Sequence, residues 1–147
     1  MKSDKLLTIL TVVLIGVLLV LLQSCKHDDA APDDLDVFTK KFSQTWQTHR
    51  VAVDDIDVTS SFPGMTITFR NDLSYSVANP VAPIWPSAGK FEVTQVSDDQ
   101  YNIKRSDGVV IEVISLTESG VILELLYTPP TGRVAGVSGK YQFEMTR

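Results

Sequence analysis

The chain has 147 residues, 13 basic against 18 acidic, and a formal net charge of −5. An acidic chain without a Lys/Arg cluster cannot neutralise a run of phosphates, which excludes nucleic acid as a partner. A single cysteine excludes an intrachain disulfide, and the length fits one folded domain.

Lys2 and Lys5 open the chain, and Leu6 to Leu22 is apolar except for Thr8, Thr11 and Gly16. Gln23-Ser24 then gives a short polar exit before Cys25. Charged, then apolar, then small is the layout of a secretory signal. The apolar run is about 17 residues, at the short limit for spanning a bilayer, so a retained membrane helix is the alternative. Leu22-Gln23-Ser24-Cys25 resembles the lipobox of Bacteroidota-type lipoproteins, with small Ser24 just before the cut. The expectation is a signal peptide over 1–24, removed on processing, and a palmitate-type acyl anchor on Cys25. Each buried CH₂ contributes ~0.8 kcal/mol, so two or three acyl chains hold a protein at a membrane. Lys26 replaces the Asp that retains lipoproteins at the inner membrane. Lys26-His27-Asp28-Asp29 also resembles the surface-export tag of the same proteins. The expected location is therefore the outer membrane, lipid-anchored, with exposure at the cell surface. Residues 25–34 are polar and acidic and read as a flexible tether. Without 1–24 the chain carries 11 basic and 17 acidic residues, a net of −6.

Asp33-Asp34 can cap a short helix in which Leu35, Phe38 and Phe42 share one face, with Lys40-Lys41 at its far end. Beyond it the apolar period changes to two. Eight strands are predicted: 46–53, 65–69, 74–77, 90–96, 101–105, 109–116, 121–127 and 140–145. Alternation points Met65, Ile67, Phe69, Tyr75, Val77, Phe91, Val93, Tyr101 and Ile103 inward. It does the same for Val121, Leu123, Leu125, Tyr127, Tyr141, Phe143 and Met145. The segment 109–116 is apolar on both faces apart from Glu112 and Ser115, which leaves the direction of Glu112 open.

Connections 71–73, 97–100, 106–108 and 117–120 are short and turn-rich, whereas 54–64, 79–88 and 128–138 are long. In an up-and-down meander the three long connections and 106–108 fall at one end. The three remaining turns fall at the other, together with both ends of the domain. Eight antiparallel strands with this asymmetry predict an all-β fold: a small closed barrel over 35–147 with a short N-terminal helix. Without closure the same pattern gives a sandwich.

The ordered segments Phe42-Ser43-Gln44-Thr45-Trp46, Phe62-Pro63-Gly64-Met65, Trp85-Pro86-Ser87-Ala88-Gly89, Arg105-Ser106-Asp107-Gly108 and Gly139-Lys140-Tyr141-Gln142-Phe143 resemble the lipocalin-like lipoprotein domains of Bacteroidota. The resemblance covers roughly 40–147 and rests on turn and core residues. Gln44 stands where lipocalins place the Gly of Gly-x-Trp. The resemblance implies a lipocalin-like barrel and an Arg packed over the Trp, for which Arg147 and Trp46 are the candidates.

Asp54, Asp55 and Asp57 share the first long connection, but the Gly-and-Glu pattern of an EF-hand is absent, so a solvated acidic loop is expected and no metal. Ile84-Trp85, between Pro80, Pro83 and Pro86, forms either an aromatic lip for a ligand or a plug folded into the barrel; the plug is favoured. Trp46 reads as core. The candidate ligand contacts are Ile84, Trp85, Phe69, Tyr75, Phe91, Tyr101, Leu123, Tyr127 and Phe143, unless these side chains fill the interior. His27 lies in the tether and His49 on a strand, and no nucleophile, Walker or metal-binding motif is present, so no enzyme and no cofactor are expected. Function is expected to be binding of a small apolar or amphiphilic ligand at the loop-rich end. The alternative is a surface interaction module with a protein or glycan partner.

Overall fold

The computed structural model describes residues 33–129 and 137–147. The segment expected to be a signal peptide, Cys25, His27 and most of the expected tether lie outside the described residues, as does the middle of the third long connection.

Asp33 caps helix α1 (Asp34–Phe42), its carboxylate accepting from the Leu35 amide at 3.5 Å. Asp34 and Asp36 occupy the first turn and Lys40 and Lys41 the last, matching the helix dipole at both ends. Strands follow as β1 (Thr45–Val53), β2 (Ile56–Asp57), β3 (Thr66–Phe69), β4 (Ser74–Ala78), β5 (Ala88–Ser97), β6 (Gln100–Arg105), β7 (Val110–Leu116), β8 (Gly120–Tyr127) and β9 (Gly139–Thr146). All neighbouring pairs are antiparallel, and β1 pairs with β9 from Gln47–Thr146 to Val53–Tyr141. That seam closes eight strands into an up-and-down barrel and removes the sandwich alternative. Two-residue β2 folds back on Ala52 and Val53 and extends the β3 side of β1 past the end of β3. Two junctions of the closed barrel are thin: β1 pairs with β3 only over Thr45–Gln47 and Thr66–Thr68, and β4 with β5 only over Ser74–Ser76 and Ala88–Lys90.

The tight β3–β4, β5–β6 and β7–β8 turns lie at one end with α1 and the chain's last residue, whose amide donates to the Ser119 carbonyl. The three long connections and the β6–β7 turn lie at the other. Helix α1 closes the tight-turn end. Phe42 is fully buried, its ring 4.3 Å from Phe69, while Phe38 stacks on Tyr101 at 4.0 Å. The Trp46 indole donates to the Phe42 carbonyl at 3.0 Å, joining the helix to β1. Burying one such phenyl ring contributes ~2–3 kcal/mol, which ranks α1 as part of the barrel's core.

Glu112, whose direction the sequence leaves open, faces solvent, because Ile111 takes the inward position on β7 and the side chains alternate. The place over Trp46 that the resemblance implies for Arg147 is corrected: Arg147 is exposed and its guanidinium donates to the Glu118 carbonyl at 3.4 Å in the β7–β8 turn, while the Trp46 indole is tied to the Phe42 carbonyl.

Candidate functional site

The interior holds side chains along its length. Phe69, Tyr75, Phe91, Leu123, Tyr127 and Phe143 are all buried in one continuous core. Tyr101 is half-buried against α1, where burial raises its phenol above the ordinary tyrosine range. Six of the nine expected ligand contacts are thus packed against one another, Tyr101 belongs to the helix end, and Ile84 and Trp85 remain at the loop-rich end.

Trp85 is fully buried and points into the barrel as the plug. Its ring meets Phe69, Tyr75 and Phe143 edge-on at 5.9–6.3 Å between centroids. Gly89 makes room for this cluster, because a Cβ there would stand 2.8 Å from the Tyr75 ring opposite it. Behind the indole sits Arg105, the one buried charged residue among the described residues, 2% exposed. Its guanidinium lies 5.1 Å from the Trp85 ring centroid. It also donates to the Ile84 carbonyl at 2.6 Å and forks onto both oxygens of Asp107. The fork holds the Asp107 carboxyl below the usual carboxylate range. Arg105 therefore binds the β6–β7 turn to the Ile84-Trp85 segment. Sequence reasoning missed it, although Tyr101, Ile103 and Arg105 share one parity and Asp107 follows two residues later.

Outside the plug lies an apolar pocket of about 200 Å³. The first long connection supplies Val58, Ser61 and Phe62, the second Val81, Ala82 and Ile84, and the third Val137. Val53 and Tyr141 form the floor. The backbone around it is fixed by specific bonds. Asn79 donates to the Gly64 carbonyl at 2.9 Å, tying the first two connections together, and Gly64 has the positive φ of 62° that the turn requires. Asp54 accepts from the Lys140 amide at 3.0 Å, and the Tyr141 hydroxyl donates to the Val137 carbonyl at 2.8 Å. Burial raises the Tyr141 phenol, an effect the Val137 bond opposes. Ile56 and Val137 stand 69% and 67% exposed at this end.

The acidic connection has a structural explanation. Asp54 and Asp55 form the β1–β2 turn at positive φ, 48° and 68°. Asp57 accepts from the Thr59 amide at 2.9 Å, the chief reason its carboxyl lies below the usual range, and it approaches Arg50 at 3.5 Å. No cluster of three or more metal-ligating side chains occurs among the described residues. His49 is exposed on β1 and does not line the pocket. A wider groove of about 680 Å³ crosses the outer wall near Lys90, Lys104 and Arg105, with Asp72, Glu92 and Asp107 beside them. Its charges balance and it is open, so it offers neither a net field nor an apolar enclosure.

No family model, curated protein or solved structure matches the chain.

Proposed function

We propose that this protein is a lipocalin-like lipoprotein of the outer membrane, anchored through acylated Cys25, that binds a small apolar or amphiphilic molecule at the loop-rich end of its barrel. The observation that carries the reading is the apolar pocket assembled from all three long connections, facing away from the end at which α1 begins. Its volume of about 200 Å³ falls below the ~300–1,000 Å³ of sites that engulf drug-sized ligands. The pocket suits the end of an acyl chain or a single ring, with the rest of the ligand outside. Binding needs no catalysis, and the barrel serves as a rigid frame for the mouth.

The anchor fits the same geometry. Residues 25–33 extend at most ~30 Å from a lipidated cysteine to α1. The tight-turn end then faces the membrane and the pocket faces away from it. A second reading, a module that grips a protein or glycan partner, is favoured by the exposure of Ile56 and Val137 beside the pocket.

Native mass spectrometry on protein purified from its own envelope tests the proposal. A stoichiometric small molecule is expected, lost in the Val81→Asp/Val137→Asp variant. A bare mass together with a stoichiometric protein partner would replace ligand binding with the second reading. For the anchor, Cys25→Ala should leave the membrane fraction, and continued acyl labelling of that variant would overturn lipidation.

A further inference from the structure

Arg105 offers five N–H donors and uses three, two on Asp107 and one on the Ile84 carbonyl. Two guanidinium N–H bonds therefore lack an acceptor among the described residues. Trp85, whose ring centroid lies 5.1 Å from the guanidinium, also buries its indole nitrogen without a partner. A buried donor left unpaired is costly, and three together make this spot rich in donors and poor in acceptors. The positive charge, in contrast, is already balanced by the Asp107 fork. What the spot lacks is a neutral oxygen.

The segment covering it is held by packing and by few hydrogen bonds. Residues 80–86 belong to a connection, and the Trp85 amide bonds within that connection, to the Val81 carbonyl at 2.8 Å. Among the described residues, the one hydrogen bond from 80–86 to the barrel wall is that between Ile84 and Arg105. Ile84 is also a wall of the mouth pocket. Withdrawing Ile84 and Trp85 joins that pocket to the space the indole vacates, with Arg105 at its head.

From this we infer that Ile84-Trp85 is a displaceable plug over an internal site whose ligand is an uncharged apolar molecule bearing a carbonyl oxygen: an ester, amide, lactone or ketone. The inference rests on the ligand-binding reading above and names the ligand's chemistry. The plug itself shows what the site accepts, a carbonyl on the guanidinium and an apolar ring beside it. A carbonyl ligand replaces the Ile84 oxygen, and its second lone pair takes a free N–H. A carboxylate is disfavoured, because with Asp107 in place it would leave a net negative charge in an apolar interior.

The test uses the full-length protein in lipid nanodiscs with ¹⁵N-labelled tryptophan, giving one indole N–H signal each from Trp46 and Trp85. Methyl 3-phenylpropanoate, 3-phenylpropanoate and propylbenzene are compared at matched free concentrations. The ester should bind about tenfold more tightly than either of the others, the worth of one good hydrogen bond to a charged donor. It should also shift the Trp85 signal and speed its exchange with water, while Trp46, bonded to Phe42, stays unchanged. Arg105→Lys should fold and lose the ester preference; should it fail to fold, the wild-type series decides alone. Equal binding of ester and hydrocarbon, or tighter binding of the carboxylate, would overturn the inference. Ester binding with Trp85 unmoved would also overturn it while leaving the mouth pocket as the ligand site. No binding of any of the three would remove both readings.

Discussion

Replacing Trp85 by alanine and by phenylalanine separates the two things its side chain does. The indole is fully buried between Phe69, Tyr75 and Phe143. Truncating a buried aromatic to alanine costs ~3–5 kcal/mol. Losing the stack on Arg105 adds ~0.5–2 kcal/mol. Removing the unpartnered N–H returns ~1–3 kcal/mol. The expected net loss for Trp85→Ala is therefore about 3 kcal/mol, a fall in Tm of roughly 12 °C for a domain of this size. Trp85→Phe keeps a ring in place and removes the unpaired donor, so its cost should stay within about 1 kcal/mol. Urea unfolding of both variants and the wild type, followed by circular dichroism, gives the comparison. Indole added to the alanine variant should recover part of the loss by filling the vacated space. If the alanine variant loses less than about 1 kcal/mol, the plug does not fill a packed interior. If phenylalanine costs as much as alanine, the indole nitrogen has a partner and the spot has no surplus of donors.

Gly89→Ala places a methyl group 2.8 Å from the Tyr75 ring and should destabilise by ~1–3 kcal/mol; Tyr75→Ala in the same chain should remove that clash, so the double variant is far from additive in a denaturation cycle. Phe42→Ala should cost ~3–5 kcal/mol and accelerate amide exchange in α1, because the helix is held mainly by its two phenyl rings. Acid unfolding should report Asp107. Its folded carboxyl is depressed, chiefly by Arg105, so its contribution is full above the unfolded value near ~3.9 and is lost as the pH falls through the lower folded value. Asp107→Asn should show that loss already at neutral pH and flatten the acid limb of the stability curve.

The barrel was legible where alternation is strict. Met65-Thr66-Ile67-Thr68-Phe69 and Lys140-Tyr141-Gln142-Phe143-Glu144-Met145 state their inward faces directly, and the run of long and short connections orders the two ends. Two-residue β2 was not legible, since a ladder of two pairs leaves no period to read. The 109–116 segment hid its outward face because Val110 and Ile114 are apolar yet exposed, 45% and 51%. Arg105 was hidden by its type: a charged residue at a strand end reads as solvated until its partner, Asp107 in the following turn, is placed beside it. The mouth pocket joins residues from three connections whose packing depends on ties such as Asn79 to Gly64, and no local pattern encodes those.

The β1–β9 seam also sets how the domain responds to tension. The first residue of β1 and the last of β9 lie at the same end, and the strands are antiparallel. A pull applied between Asp33 and Arg147 first peels α1 and then reaches the Gln47–Thr146 pair. From there it opens the ladder one pair at a time toward Val53 and Tyr141. This is unzipping, in which each bond bears the load alone, and it yields at far lower force than shear across the whole ladder. Forced opening is governed by the unfolding rate, so the seam, and not the plugged interior, sets the domain's mechanical lifetime. A barrel held only at Asp33 is thus spared this strain while nothing pulls on its final strand.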